Sequence, residues 1–210
     1  MNSEPRVSPI VTVPSARTVL RRALERVDEF YRRRLELAPV GPLLYVGLER
    51  HEGAPCALND GTRLEPGAWI GRLHFNNARA AAVEADTRPQ AGIRFARLLR
   101  DSFVELADRA RGDTPLSEVA VFEGITWLRA HGGAVGFDAE PLPHGPQRWL
   151  LGAHFRLLIW AFAPVAPGAA VLEVAPHRFR ITRDALIASF GARRRNARVV
   201  RPTTAWDDTT

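Results

Sequence analysis

The most unusual polar cluster in this chain of 210 residues is the run Leu73-His74-Phe75-Asn76-Asn77. A neutral imidazole beside two carboxamides can bind a sugar hydroxyl, a phosphate oxygen or a carboxylate, and it can also serve as a general base. Period-two alternation puts Arg72, His74 and Asn76 on one face of an extended segment, with Leu73 and Phe75 on the other. The structural alternative is plain. His74 would satisfy a backbone group, and one asparagine would cap the helix that follows.

Glu123 with Thr126 is the second candidate. A carboxylate next to Phe122 in an apolar stretch is costly to bury unless it is paired, and pairing with His74 or with an arginine would make an acid/base couple; the structural alternative is a solvated glutamate on an exposed face. His154 and Arg156 interrupt an apolar run and can project together into a pocket, or pair with Glu173 or a backbone carbonyl as buried structure. The remaining histidines, His51, His131, His144 and His177, stand singly in predicted turns and loops. No spacing resembles a zinc site, and His51-Glu52 lacks the second histidine of the HExxH pattern. No nucleophile elbow, phosphate loop or dinucleotide fingerprint occurs, so neither a metal nor a cofactor is expected. Cys56, the single cysteine, has no activating partner in the sequence and excludes an intramolecular disulfide.

These residues need a frame. Ser15 is placed to cap a helix running to about residue 37, with Leu20, Leu24, Val27, Tyr31 and Leu35 on one face. Leu44, Val46 and Leu48 alternate with Tyr45, Gly47 and Glu49 as a half-buried strand. Asn59-Asp60-Gly61-Thr62 is a hairpin turn, Glu65-Pro66-Gly67-Ala68 fits a type II turn, and 69–75 alternates again. Asn76 or Asn77 caps a short helix to about Val83. Ile93, Ala96, Leu99, Phe103 and Leu106 predict a helix over 90–109. Thr114 and Pro115 open a further helix that buries Val119, Phe122 and Thr126 and stops at Gly132-Gly133, so Glu123 is expected on a helix. Residues 135–142 read as extended.

The run 147–163, apolar nearly all round, predicts a buried central helix, and its missing polar face argues against a place in a membrane interface. Residues 170–175 read as a strand, and Thr182 caps a last helix closed by Gly191. The expected fold is α+β: a single domain with a small curved antiparallel sheet packed with about five helices. Residues 1–14 are expected to be disordered, 15–191 to form the domain, and 192–210 to form a basic then acidic flexible tail.

The formal charge of +6 comes with no lysine, all 29 basic residues being arginine. Arg193, Arg194, Arg195, Arg198 and Arg201 crowd the tail, which could hold nucleic acid or a membrane surface weakly through phosphates. Without interleaved aromatics they carry no means of reading bases. No signal peptide pattern is seen and the most apolar run is too short to span a bilayer, so a cytoplasmic protein is expected.

Leu44-Tyr45-Val46-Gly47, Asp60-Gly61-Thr62, Pro66-Gly67, Ile70-Gly71 and Leu73-His74-Phe75-Asn76-Asn77 together resemble the YkoP-like domain family. Glu123-Gly124-Ile125-Thr126, Gly136-Phe137 and a closing strand-then-helix over 171–191 are similar to that family too, so the resemblance covers about residues 15–191. It implies a bacterial domain without a settled activity, sometimes joined to polysaccharide deacetylases and so set among envelope glycans. The paired aspartates and metal-binding histidines of those deacetylases are missing here, and their activity does not carry over. The first expectation is a binding or accessory domain for a glycan or glycan precursor, working beside envelope-processing enzymes, with Arg72, Asn76, Asn77, Thr126, His154 and Arg156 as ligand-binding residues. The alternative is a small hydrolase or transferase with His74 and Glu123 as acid/base pair.

Overall fold

The computed structural model describes residues 15–77, 79–80, 91–112, 114–126, 137–162 and 175–191. Its frame is a six-stranded sheet in the order β1-β2-β5-β6-β8-β7. The strands are β1 (Ala38–Val40), β2 (Leu44–Arg50), β5 (Trp69–Phe75), β6 (Val121–Thr126), β7 (Asp138–Pro141) and β8 (His177–Thr182). Between β2 and β5, strands β3 (Cys56–Ala57) and β4 (Arg63–Leu64) form a separate two-stranded hairpin. Every neighbouring pair in the large sheet is antiparallel except β5 and β6, which run parallel. Parallel neighbours need a crossover, and α2 (Ala91–Arg111) lies within that connection.

The sheet separates two unlike layers. Leu44, Val46, Leu73, Phe122, Phe179 and Ile181 face α2 and α4 (Arg183–Phe190), packing on Phe103, Leu106, Leu186 and Phe190. On the other side α1 (Ala16–Arg34) and α3 (Pro146–Phe162) cover Ile125 through Leu20, Leu24, Leu151, Phe155 and Leu158. The hairpin covers Ile70 and Val121 through Leu58 and Leu64. Its turn is also a clamp: Asp60 Oδ2 accepts from Thr182 Oγ1 at 2.6 Å, and Asn59 N donates to Asp138 Oδ2 at 2.9 Å.

Local chemistry explains the element ends. Ser15 Oγ accepts from Thr18 N at 3.3 Å, Thr182 Oγ1 accepts from Ala185 N at 3.2 Å, and Asn76 Oδ1 accepts from Arg79 N at 3.1 Å. These caps satisfy the unpaired N–H groups of a first turn. Gly67 at φ 84° supplies the left-handed residue of the type II turn.

Three expectations are overturned. The sheet is six-stranded and mixed rather than small and antiparallel, and four α-helices fall within the described residues where about five were expected. Thr114 caps only a single 3-10 turn, Pro115–Glu118, and the chain from Val121 is the central strand β6, not a helix. A strand buried on both faces loses the period-two signal, and the spacing of Val119, Phe122 and Thr126 mimics a helix. Finally, α3 is not a central buried helix. It is apolar on two sides because one side packs inward while Trp149, Leu150, Leu157 and Trp160 stay exposed. The expected segments at 1–14, 192–210 and Gly132-Gly133 lie outside the described residues, as do most of the strand at 170–175, Glu173, and the end of the helix toward Val83.

Candidate functional site

The face toward α1 and α3 carries a ladder of charge across five strands. Register sets it: Arg72 on β5 stands opposite Glu123 on β6, Glu123 opposite Arg180 on β8, and Arg180 opposite Asp138 on β7. Glu123 bonds Arg72 through Oε1 and accepts from Arg180 Nε through Oε2 at 2.7 Å, with Arg178 Nε 3.7 Å away. Arg72 also reaches Glu49 on β2, while Arg180 and Arg178 reach Glu140 on β7 at 3.0 and 3.6 Å. Three arginines thus meet three glutamates. Burial pushes the Glu123 carboxyl up, but the hydrogen bond from Arg180 and the charges of Arg72, Arg178 and Arg180 outweigh it, leaving its pKa below the ordinary value. A carboxylate with both oxygens engaged and its proton disfavoured is a structural anion rather than a proton donor.

His74 shares this face with Arg72 and stands opposite Tyr45 on β2. Its Nε2 is buried and has no hydrogen-bond partner among the described residues, and no hydrogen bond joins it to Glu123. Burial, helped by the Arg72 charge and opposed by Glu49, holds the imidazole pKa below its ordinary 6.5. The sign follows from linkage. Above pH 6.5 both folded and unfolded imidazole are neutral; below it the unfolded chain takes up a proton that the folded chain resists. Stability is therefore expected to fall as the pH drops below 6.5, and a His74→Gln variant to show a flatter dependence. Urea midpoints measured across that range for both proteins check this, and parallel curves would count against a buried neutral His74.

The two asparagines divide their tasks. Asn76 caps its helical turn through Oδ1, and its Nδ2 donates to Tyr45 Oη at 3.0 Å. Asn77 Nδ2 donates to Asp28 Oδ2 on α1 at 2.7 Å. Arg32, also on α1, donates to Tyr45 Oη at 2.8 Å and lies over the ring with Cζ 5.2 Å from its centroid. Burial raises the Asp28 pKa, against the Asn77 hydrogen bond and the charges of His154 and Arg32. Asn76, through Tyr45 and Arg32, and Asn77, through Asp28, therefore join sheet to helix. His154 on α3 acts on the same Asp28, whereas Arg156 on that helix is exposed. Thr126 is buried at the end of β6, in register with His177. Asn76, Asn77 and His154 are thus brought together around Tyr45 and Asp28, whereas Thr126 lies on the opposite face of the sheet from Arg72 and Arg156 is exposed.

The open site lies at the sheet edge. β1 pairs with β2 only as far as Val46, so residues 47–50 have no strand on their outer side among the described residues. A cleft of about 740 Å³ runs there, between the end of α1 and the 3-10 turn, lined by Arg34, Glu36, Leu37, Gly47, Leu48, Glu49, Arg72, Arg109 and Pro115 among others. Arg72 links the two regions, with one guanidinium nitrogen on Glu49 at the cleft and another on buried Glu123.

Sequence reasoning missed Tyr45, Asp28, Arg32, Glu49, Arg178 and Arg180. A signal existed for the last two: Arg178 and Arg180 alternate with Phe179 and Ile181 in a period of two. Tyr45 and Glu49 share the same alternation in 44–49, whereas Asp28 and Arg32 carry no comparable signal, since each matters only through a partner distant in sequence.

A mixed six-stranded sheet between two helical layers, with an Arg–Glu ladder centred on buried Glu123 on one face, defines the class of domain. The family model of the YkoP domain matches residues 17–190, and the chain belongs to that family. No curated protein and no solved structure is significantly similar to it.

Proposed function

We propose that this chain is a non-catalytic binding domain that takes an acidic, hydroxyl-rich ligand in the cleft beside β2. The observation that carries this reading is the cleft itself. It sets the cations Arg34, Arg72 and Arg109 beside the acceptors Glu36 and Glu49 and the unpaired edge of residues 47–50. Guanidinium groups suit carboxylate or phosphate, carboxylates accept from sugar hydroxyls, and an open strand edge offers further donors and acceptors. Acidic glycans and glycan precursors have that chemistry. The family resemblance supplies the setting, beside enzymes that process envelope polysaccharides. The engaged oxygens of Glu123 and the covered Nε2 of His74 leave the acid/base alternative without support.

Titration of the full chain with uronic-acid oligosaccharides, and with neutral oligosaccharides of equal length, tests the reading. Selective binding of the acidic series is expected, weakened about tenfold or more in an Arg34→Glu, Arg109→Glu variant, since each charge-assisted contact is worth roughly 1.5–3 kcal/mol. Equal affinity for both series, or an unaffected variant, would overturn it.

A further inference from the structure

We propose that the outer face of α1 and α3 docks on an anionic lipid surface. This surface is separate from the cleft and does not depend on the ligand proposed for it.

The inner side of α3 is accounted for by Leu151, Phe155, Leu158 and Ala161, which pack around Leu24 of α1. Its outer side is not. Trp149 is 72% exposed and Trp160 47%, and Leu150 and Leu157 stand exposed near them. Eleven residues are about three helical turns, so the two indoles project from one side of the helix roughly 16 Å apart. Next to α3, α1 runs the opposite way, with Arg17 Nε donating to Ala161 O at 3.2 Å near its start. It adds Phe30, 65% exposed, with Val19 and Val27.

Charge selects the occupant. α1 carries seven arginines against three acidic residues, and α3 two arginines against none, a net +6 on two helices; Arg32 turns inward onto Tyr45 and Arg34 lines the cleft, while Arg22, Arg26, Arg33 and Arg156 stand exposed on the outer side. That equals the formal charge of the whole chain, so the basic excess is not confined to the tail. The exposed Arg156 lies on the side of α3 that carries the tryptophans, seven residues beyond Trp149 and four before Trp160. Indoles favour the boundary between headgroup and acyl chain, and arginines favour the phosphates just above it. A second copy of the chain fits poorly, because a two-fold contact would set a strongly basic face against itself. An anionic bilayer satisfies both the apolar and the charged parts.

Cosedimentation of the 210-residue chain with phosphatidylglycerol vesicles and with phosphatidylcholine vesicles tests this. Binding to the anionic vesicles alone is expected, reduced about tenfold or more by Trp149→Ser with Trp160→Ser, since burial of two indoles contributes well over one tenfold step. Both side chains are exposed, so the folded state should survive, and circular dichroism checks that it does. A second variant of the same chain, with Arg193, Arg194 and Arg195 replaced by serine, should keep most of the binding. No binding to anionic vesicles would overturn the proposal. So would binding indifferent to the tryptophans, or binding lost only with the tail arginines. A dimer in solution that the double tryptophan variant dissolves, with no lipid binding, would make the face a protein interface instead.

Discussion

Replacing Glu123 with alanine is expected to destabilise the domain by about 3–5 kcal/mol, the usual cost of removing one partner from a buried ionic cluster. Glu123 is only 4% exposed and is the common partner of Arg72, Arg178 and Arg180. Its loss leaves three guanidinium groups on one sheet face sharing Glu49 and Glu140 at the margins. Glu123→Gln keeps the shape and some hydrogen bonding but not the charge, so it should fall between wild type and alanine. The pH dependence has a definite sign. With its folded pKa below the ordinary 4.5, Glu123 contributes stability that is present above that pH and is lost as pH falls through the folded value. Denaturant unfolding at neutral and acid pH measures both effects. An alanine variant within about 1 kcal/mol of wild type would show that the ladder contributes little net stability, the outcome for many exposed pairs.

Phe122→Ala should cost a similar amount, about 3–5 kcal/mol, because it empties the middle of the larger core. Phe122 is fully buried between the sheet and the α2 layer, and the family motif glycines are shaped around it and Phe179. A Cβ added at Gly71 would sit 2.3 Å from Phe122 Cδ1, and one at Gly124 would sit 2.5 Å from Phe179 Cζ. Neither ring can step aside in a filled core. Gly71→Ala is therefore expected to cost about 1–3 kcal/mol by overpacking. The two sites should be coupled: Gly71→Ala combined with Phe122→Leu should destabilise by less than the sum of the single changes, because the smaller side chain vacates the space the methyl needs. Thermal and urea unfolding of the four proteins forms the cycle, and strict additivity would contradict a direct clash.

Both changes fall in β6, the element least legible in the sequence. Strands β2 and β5 alternate cleanly because one of their faces is polar, and turn residues such as Pro66-Gly67 mark their ends. β6 reads Val-Phe-Glu-Gly-Ile-Thr, with five of its six residues buried, so period two is blurred. The parallel pairing with β5 leaves no local mark either, since the crossover separates the strands by more than forty residues of chain. His74 and Glu123 were visible as unusual polar residues, and each does occupy an unusual place. Their roles were not visible, because the guanidinium groups that claim Glu123 come from two other strands.

The sequence by itself determined the caps at Ser15 and Thr182, a cap at one of Asn76 and Asn77, the turn at Gly67, the alternation that faces Arg72 and His74 the same way, and the family. All of these rest on interactions within a few residues, where hydrogen-bond geometry and side-chain period leave a local imprint. Only the tertiary structure decided that Glu123 is an anion held between arginines, that Asn77 serves Asp28, that α3 leaves its tryptophans outside, and that a cleft opens where β1 stops short. Each of these depends on which distant surfaces meet. Burial and charge pairing act through space, and one chain's order of residues does not display that directly.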